Sequence, residues 1–138
     1  MTDTPIGRAQ LAAVLPCTDF ERCTAFYRDT LGLRVEGMPD MPGNAMVYGG
    51  GGTTFALYRR DEPTRAEHTV AGIMVDDFDA AIGYLRSSGV RLEDYDQPGL
   101  KTENGIATYG EFRSAWFKDT EGNILSIVPS MEAARKAA

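Results

Sequence analysis

The chain repeats itself, and no other feature constrains its fold as strongly. The segment from Thr18-Asp19-Phe20-Glu21 to Arg28 resembles that from Asp76-Asp77-Phe78-Asp79 to Arg86, 58 positions later. Self-similarity at fixed spacing means that one supersecondary unit is used twice. Thr18 with Glu21 reads as a capping box, which satisfies the free amides that start a helix, and Asp76 with Asp79 is a weaker form of it. After the first cap, Phe20, Cys23, Tyr27 and Leu31 recur at helical spacing; after the second, Phe78, Ala81, Ile82 and Leu85 do so. Each set makes one apolar stripe on an amphipathic helix. Gly32 and Gly89 follow as helix stops. They stand 57 apart rather than 58, which implies one deletion in the second copy.

A short apolar strand precedes each helix, at 11–15 and 70–75, and three strand candidates follow each one. They fall at 34–37, 45–48 and 53–58 in the first copy, and at 91–95, 114–118 and 124–128 in the second. The last two of each copy are joined by four or five residues containing glycine, a hairpin length. The expected fold is therefore α+β: two tandem βαβββ modules, 9–60 and 67–129, within a single domain of 1–138. Together they form a half-open eight-stranded barrel around a cleft. A polar linker with Pro63 separates the copies, a longer loop at 96–104 interrupts the second and is placed to overhang a cavity, and 130–138 reads as a short helix or a frayed end. A concave interior is the usual place for a small ligand; the alternative is an interior filled by its own side chains.

Composition narrows the function classes. Net charge is −6 and no basic run exceeds Arg59-Arg60, which argues against nucleic acid or an anionic membrane surface as partner. No apolar run approaches the ~20 residues that cross a bilayer, and residues 1–10 lack a signal-peptide segment, so the expected location is cytoplasmic. Cys17 and Cys23 are then expected as reduced thiols. The lone histidine, His68, stands two residues before Val70, on the same strand face by alternation. It reads either as a base or hydrogen-bond partner in the cleft or as an exposed residue at the strand's polar start. Gly49 to Gly52 leads into a strand rather than a helix, so it reads as a hairpin turn and not a phosphate loop. Tyr48, Tyr58, Tyr109, Phe112 and Trp116 lie on or beside strands facing the presumed cleft, as core filler or as stacking surfaces for a planar ligand.

Three stretches carry a family resemblance: Ala25-Phe26-Tyr27-Arg28-Asp29-Thr30-Leu31-Gly32-Leu33, Val75-Asp76-Asp77, and Phe117-Lys118-Asp119-Thr120-Glu121-Gly122-Asn123-Ile124-Leu125. Over roughly residues 9–129 the chain resembles the vicinal oxygen chelate superfamily, which includes glyoxalase I, extradiol dioxygenases, and fosfomycin- and bleomycin-resistance proteins. The resemblance implies four metal-ligand positions, one on the first and one on the last strand of each copy. They fall on Ala12, Ala56, Val70 and Ser126, where metalloenzymes carry His, Gln or Glu. Ala and Val have no donor atom, and Ser is a poor ligand for a divalent transition metal. Tyr109-Gly110 is similar to the aromatic-glycine pair lining the drug site of metal-free bleomycin-resistance proteins.

The resulting expectation is a protein that holds a planar or aromatic organic compound by sequestration, as in antibiotic resistance, without metal or cofactor. Its ligand contacts would come from Tyr48, Tyr58, His68, Tyr109, Phe112 and Trp116. The alternative is a lyase, isomerase or oxidoreductase of the glyoxalase or dioxygenase kind using the same cleft. Unpaired sheet edges and the resemblance both imply a homodimer.

Overall fold

The computed structural model describes residues 4–137, so Ala138 of the expected tail lies outside the described residues. The repeat is realised as two four-stranded mixed sheets. In the first, β1 (Ala13–Cys17), β4 (Thr54–Arg59), β3 (Asn44–Tyr48) and β2 (Arg34–Gly37) lie in that spatial order. In the second the order is β5 (Thr69–Val75), β10 (Ile124–Pro129), β9 (Phe112–Lys118) and β8 (Ile106–Tyr109). In each sheet the first and last strands of the module pair in parallel and the other neighbours antiparallel. The sheets approach each other at β1 and β5 and do not close into a barrel.

The first helix runs as α1 (Phe20–Ala25) and widens into a π turn over Phe26–Thr30; the second is α2 (Phe78–Ser87). A third, α3 (Met131–Ala137), occupies the tail. Both module helices begin one residue later than the capping boxes imply. Asp19 accepts from the Arg22 amide and Asp77 from the Ala80 amide. Thr18 and Asp76 are engaged elsewhere: the Thr18 amide and hydroxyl both donate to Glu121, and Asp76 accepts from the Ser130 hydroxyl. Gly32 and Gly89 take the left-handed conformation at the helix ends (φ 75° and 82°), as expected of stops.

One expected strand is absent. Residues 91–95 contribute only a single bridge, Leu92 opposite Phe117, and the fourth strand of the second sheet is β8. Both segments use the same edge of β9. The Glu93 amide donates to the Trp116 carbonyl, β8 pairs from Ala115 onward, and 94–105 leaves the sheet between them. Within that excursion lies a two-rung hairpin of β6 (Asp96–Gln97) and β7 (Leu100–Lys101), so the region expected as one loop is partly ordered.

The helix-facing sides of both sheets form one continuous core. Leu15, Val47, Leu57, Phe117, Leu125 and Ile127 are buried against Cys23, Tyr27, Ile82 and Leu85. A polar cluster fastens the two copies together. Asp119, in the β9–β10 turn, accepts from the Tyr27 hydroxyl (2.7 Å), the amides of Glu121 and Asn123, and the Asn123 side chain. Asn123 also donates to the Pro16 carbonyl, and Glu121 holds the start of α1. The matching turn of the first copy, Gly49 to Gly52, has no side chains with which to do this. Cys17 and Cys23 are free and buried beside this cluster. Burial, reinforced by the Glu121 carboxylate, pushes the Cys17 thiol up to about 11, and burial raises Cys23 further. Both are poor nucleophiles at neutral pH.

Candidate functional site

Strand alternation turns the other half of the side chains onto faces that no helix covers. On the first sheet these are Val14, Met46, Tyr48, Ala56 and Tyr58: Val14 and Met46 flank Ala56, and Tyr58 lies between Pro16 and Asn44. The Arg34 guanidinium sits 3.9 Å over the Tyr48 ring and 2.6 Å from Glu36, so this face ends in a charged margin. On the second sheet Gly72, Met74, Trp116, Ser126 and Val128 share the open face, with Ser126 between Gly72 and Trp116. The Trp116 indole N–H donates to Thr69 Oγ1 (3.1 Å), and its ring meets Tyr95 at 5.5 Å and 87°. Burial, followed by the Glu93 charge, raises the Tyr95 hydroxyl pKa. Val14 and Met74 are 60% and 63% exposed, so apolar surface on these faces is uncovered in the single chain.

At the far end of the second sheet lies a cavity of about 620 Å³. Tyr109 and Phe112 face each other across the β8–β9 turn and form one wall. The start of α2 supplies Asp76, Asp77, Phe78 and Asp79, Glu111 comes from the turn, and Pro129 and Ala133 close the remaining side. Arg113 reaches Asp79 through two hydrogen bonds (2.8 and 3.1 Å) and lies over the Phe78 ring. The hydrogen bond from Arg113 holds the Asp79 carboxyl below the usual carboxylate range. One guanidinium against four carboxylates leaves the lining negative and partly aromatic.

The residues singled out from sequence are thus not one cluster. Tyr109 and Phe112 share this cavity, Trp116 stands on the same sheet beside Tyr95, and Tyr48 and Tyr58 lie on the first sheet. His68 is exposed, one residue ahead of β5. Its expected alignment with Val70 fails because β5 is bulged there: β10 advances one residue, Ile124 to Leu125, while β5 advances two, Thr69 to Ala71. The bulge breaks the alternation, and Val70 packs against the core cluster.

The positions corresponding to metal ligands do not fit a metal. Ala12 lies before β1, Ala56 and Val70 carry no donor, and only Ser126 offers an oxygen. Among the described residues no three His, Cys, Asp or Glu side chains are grouped to hold an ion. Sequence reasoning missed Tyr95 and the acidic side of the cavity. Tyr95 ends the segment expected as a strand, and only the fold brings it against Trp116, just as only the fold sets the approach of the two elements whose carboxylates converge.

Residues 13–50 match the family model described as bleomycin resistance protein-like N-terminal. No curated protein matches the chain in sequence. Among solved structures, a bleomycin resistance determinant encoded on transposon Tn5 superposes with a TM-score of 0.67 at 18% identity, covering 89% of this chain and 98% of that one. A glyoxalase/bleomycin resistance protein/dioxygenase superfamily member from Sphaerobacter thermophilus gives 0.66 at 22% identity, over 88% and 98%. A lactoylglutathione lyase from Agrobacterium tumefaciens gives 0.64 at 17% identity, over 88% and 93%.

Proposed function

Since the chain has the vicinal oxygen chelate fold, we propose that it is a metal-free small-molecule-binding protein of the bleomycin-resistance type, sequestering a planar or aromatic organic compound. The observation that carries this reading is the residue set at the four ligand positions. Ala12, Ala56, Val70 and Ser126 put small or apolar side chains where a chelating site needs donors, and of these Ala56 and Ser126 stand on the open faces with Tyr58 and Trp116. Such a surface gains affinity from buried ligand area, at roughly 25 cal/mol per Å² before association costs. Stacking on an aromatic ring adds about 0.5–1.5 kcal/mol per pair. The uncovered Val14 and Met74 support a homodimer in which a second copy covers the open faces and completes the cleft. A cytoplasmic location agrees with the two buried free thiols.

Trp116 is the only tryptophan, so its emission reports on one site. A panel of polycyclic antibiotics, flavins and quinones titrated into the protein is expected to contain a compound that quenches or shifts this emission saturably and raises the melting temperature. If the whole panel leaves both unchanged, the sequestration reading fails.

A further inference from the structure

The internal repeat supplies a comparison within the molecule for the cavity beside α2. The matching place in the first copy, between the start of α1 and the β2–β3 turn, holds a smaller hollow of about 340 Å³. Phe20 stands there as Phe78 stands in the second copy, and each helix is capped by an aspartate, Asp19 or Asp77. The fold requires that much of both. Around Phe20 the rest of the lining is Met38, Pro39, Pro42 and uncharged neighbours. Around Phe78 it is two further aromatic rings, three further carboxylates and one guanidinium, about a cavity of 620 Å³. Capping and packing therefore do not account for the aromatic and acidic lining, because the first copy folds without it.

The lining groups differ in how far they are already engaged. Asp77 accepts from the Ala80 amide, Asp76 from the Ser130 hydroxyl, and Asp79 takes both hydrogen bonds from Arg113. Glu111, in the turn between Tyr109 and Phe112, has no ion-pair partner among the described residues. The two rings beside it are 50% and 42% exposed. The Tyr109 hydroxyl donates to the Gly99 carbonyl (3.1 Å), so what Tyr109 offers the cavity is its ring. An aromatic face attracts a cation, and a neighbouring carboxylate reinforces the attraction. The protein uses this combination once for itself: the Arg113 guanidinium lies 4.7 Å from the centre of the Phe78 ring while paired to Asp79. Glu111, Tyr109 and Phe112 present the same combination to the cavity. An anion is disfavoured there, since four carboxylates outnumber one guanidinium and Asp77 already occupies the start of α2. A metal ion is not favoured either, because among the described residues no three donors are grouped to hold one.

The geometry points to a binding site for a small aromatic cation in this cavity, with the ligand's ring against Tyr109 and Phe112 and its protonated amine beside Glu111. The volume falls within the range of small-molecule sites, roughly 300–1,000 Å³. The site stands apart from the sequestration reading above, because none of Ala56, Tyr58, Trp116 and Ser126 lines the cavity.

The test uses the full chain and three indoles that differ in charge: tryptamine, its neutral counterpart indole-3-ethanol, and anionic indole-3-acetate. Calorimetry is expected to show saturable tryptamine binding, about tenfold tighter than that of the alcohol, with the acetate weakest. Added salt should reduce the preference for the amine. Glu111→Gln is expected to weaken tryptamine about threefold and to leave the alcohol unchanged. Phe112→Leu, which keeps apolar bulk but removes the ring, should weaken both about threefold. Glu111 and Phe112 are exposed, so both variants should melt with the wild type. Amide signals of Asp76–Asp79 and Glu111–Arg113 should shift with tryptamine. Equal affinity for amine and alcohol, an unchanged tryptamine affinity in Glu111→Gln, or signal shifts confined to other segments would overturn the site. So would the lack of saturable tryptamine binding at millimolar concentration. A planar compound that perturbs Trp116 while tryptamine fails leaves the sequestration reading standing without this site, and the opposite pattern leaves this site without that reading.

Discussion

The contact that joins the two copies allows a quantitative test. The Tyr27 hydroxyl and Asp119 lie 92 residues apart, in different modules, and meet at 2.7 Å with Tyr27 wholly buried. Burial and the adjacent Asp119 carboxylate push the Tyr27 hydroxyl pKa upward, so it stays a donor throughout the working range. Tyr27→Phe deletes one hydrogen bond to a carboxylate, worth about 1.5–3 kcal/mol, and leaves Asp119 its three other donors. Asp119→Ala is more severe, because it orphans the Tyr27 hydroxyl and the amides of Glu121 and Asn123 at once. About 4 kcal/mol is expected, the scale for breaking a buried polar network. At this chain length 1 kcal/mol moves the melting temperature by about 3 °C, so the two variants should melt roughly 6 °C and 12 °C lower than wild type. In the double variant the Tyr27–Asp119 bond is counted only once. Its loss should fall short of the summed single losses by about 2 kcal/mol, measured by urea unfolding with Trp116 emission. A Tyr27→Phe loss below 0.5 kcal/mol, or strictly additive losses, would mean that this bond does not couple the modules.

Other expectations follow from the same geometry. The Cys17 thiol titrates at about 11 in the fold against 9.0 in an open chain, so its contribution to stability is complete below pH 9 and is lost as pH rises toward 11. Melting temperatures should fall over that window, and Cys17→Ala should flatten the decline; a pH-independent melting temperature between 9 and 11 would contradict the burial argument. Elemental analysis of the purified protein should find no stoichiometric Zn, Fe, Ni or Mn, and about one per chain would refute the reading of Ala12, Ala56, Val70 and Ser126. Light scattering at micromolar concentration should give about twice the 15.0 kDa chain mass, and Val14→Glu with Met74→Glu should halve it. A wild-type particle of 15.0 kDa would remove the covered-face argument.

The duplicated module was legible in the linear sequence because local physics encodes it. Helical stripes, glycine stops and hairpin-length turns depend on neighbours within a few residues, so Phe20 to Leu31 and Phe78 to Leu85 announced their helices without any knowledge of the rest. That Ala12, Ala56 and Val70 carry no donor atom is likewise a property of residue identity alone. What the sequence left undecided are the outcomes of competition between distant groups. Thr18 yields its capping role to Asp19 because Glu121, 103 positions away, claims its amide and hydroxyl. Residues 91–95 read as a strand candidate, but β9 has one free edge, and β8 takes most of it. Val70 loses its expected face to a bulge that arises only when β5 and β10 are laid side by side. The cavity beside Tyr109 and the perpendicular meeting of Tyr95 with Trp116 belong to the same class. Each joins segments that share no local pattern: the cavity brings the start of α2 to the β8–β9 turn, and Tyr95 reaches Trp116 across the edge of the second sheet.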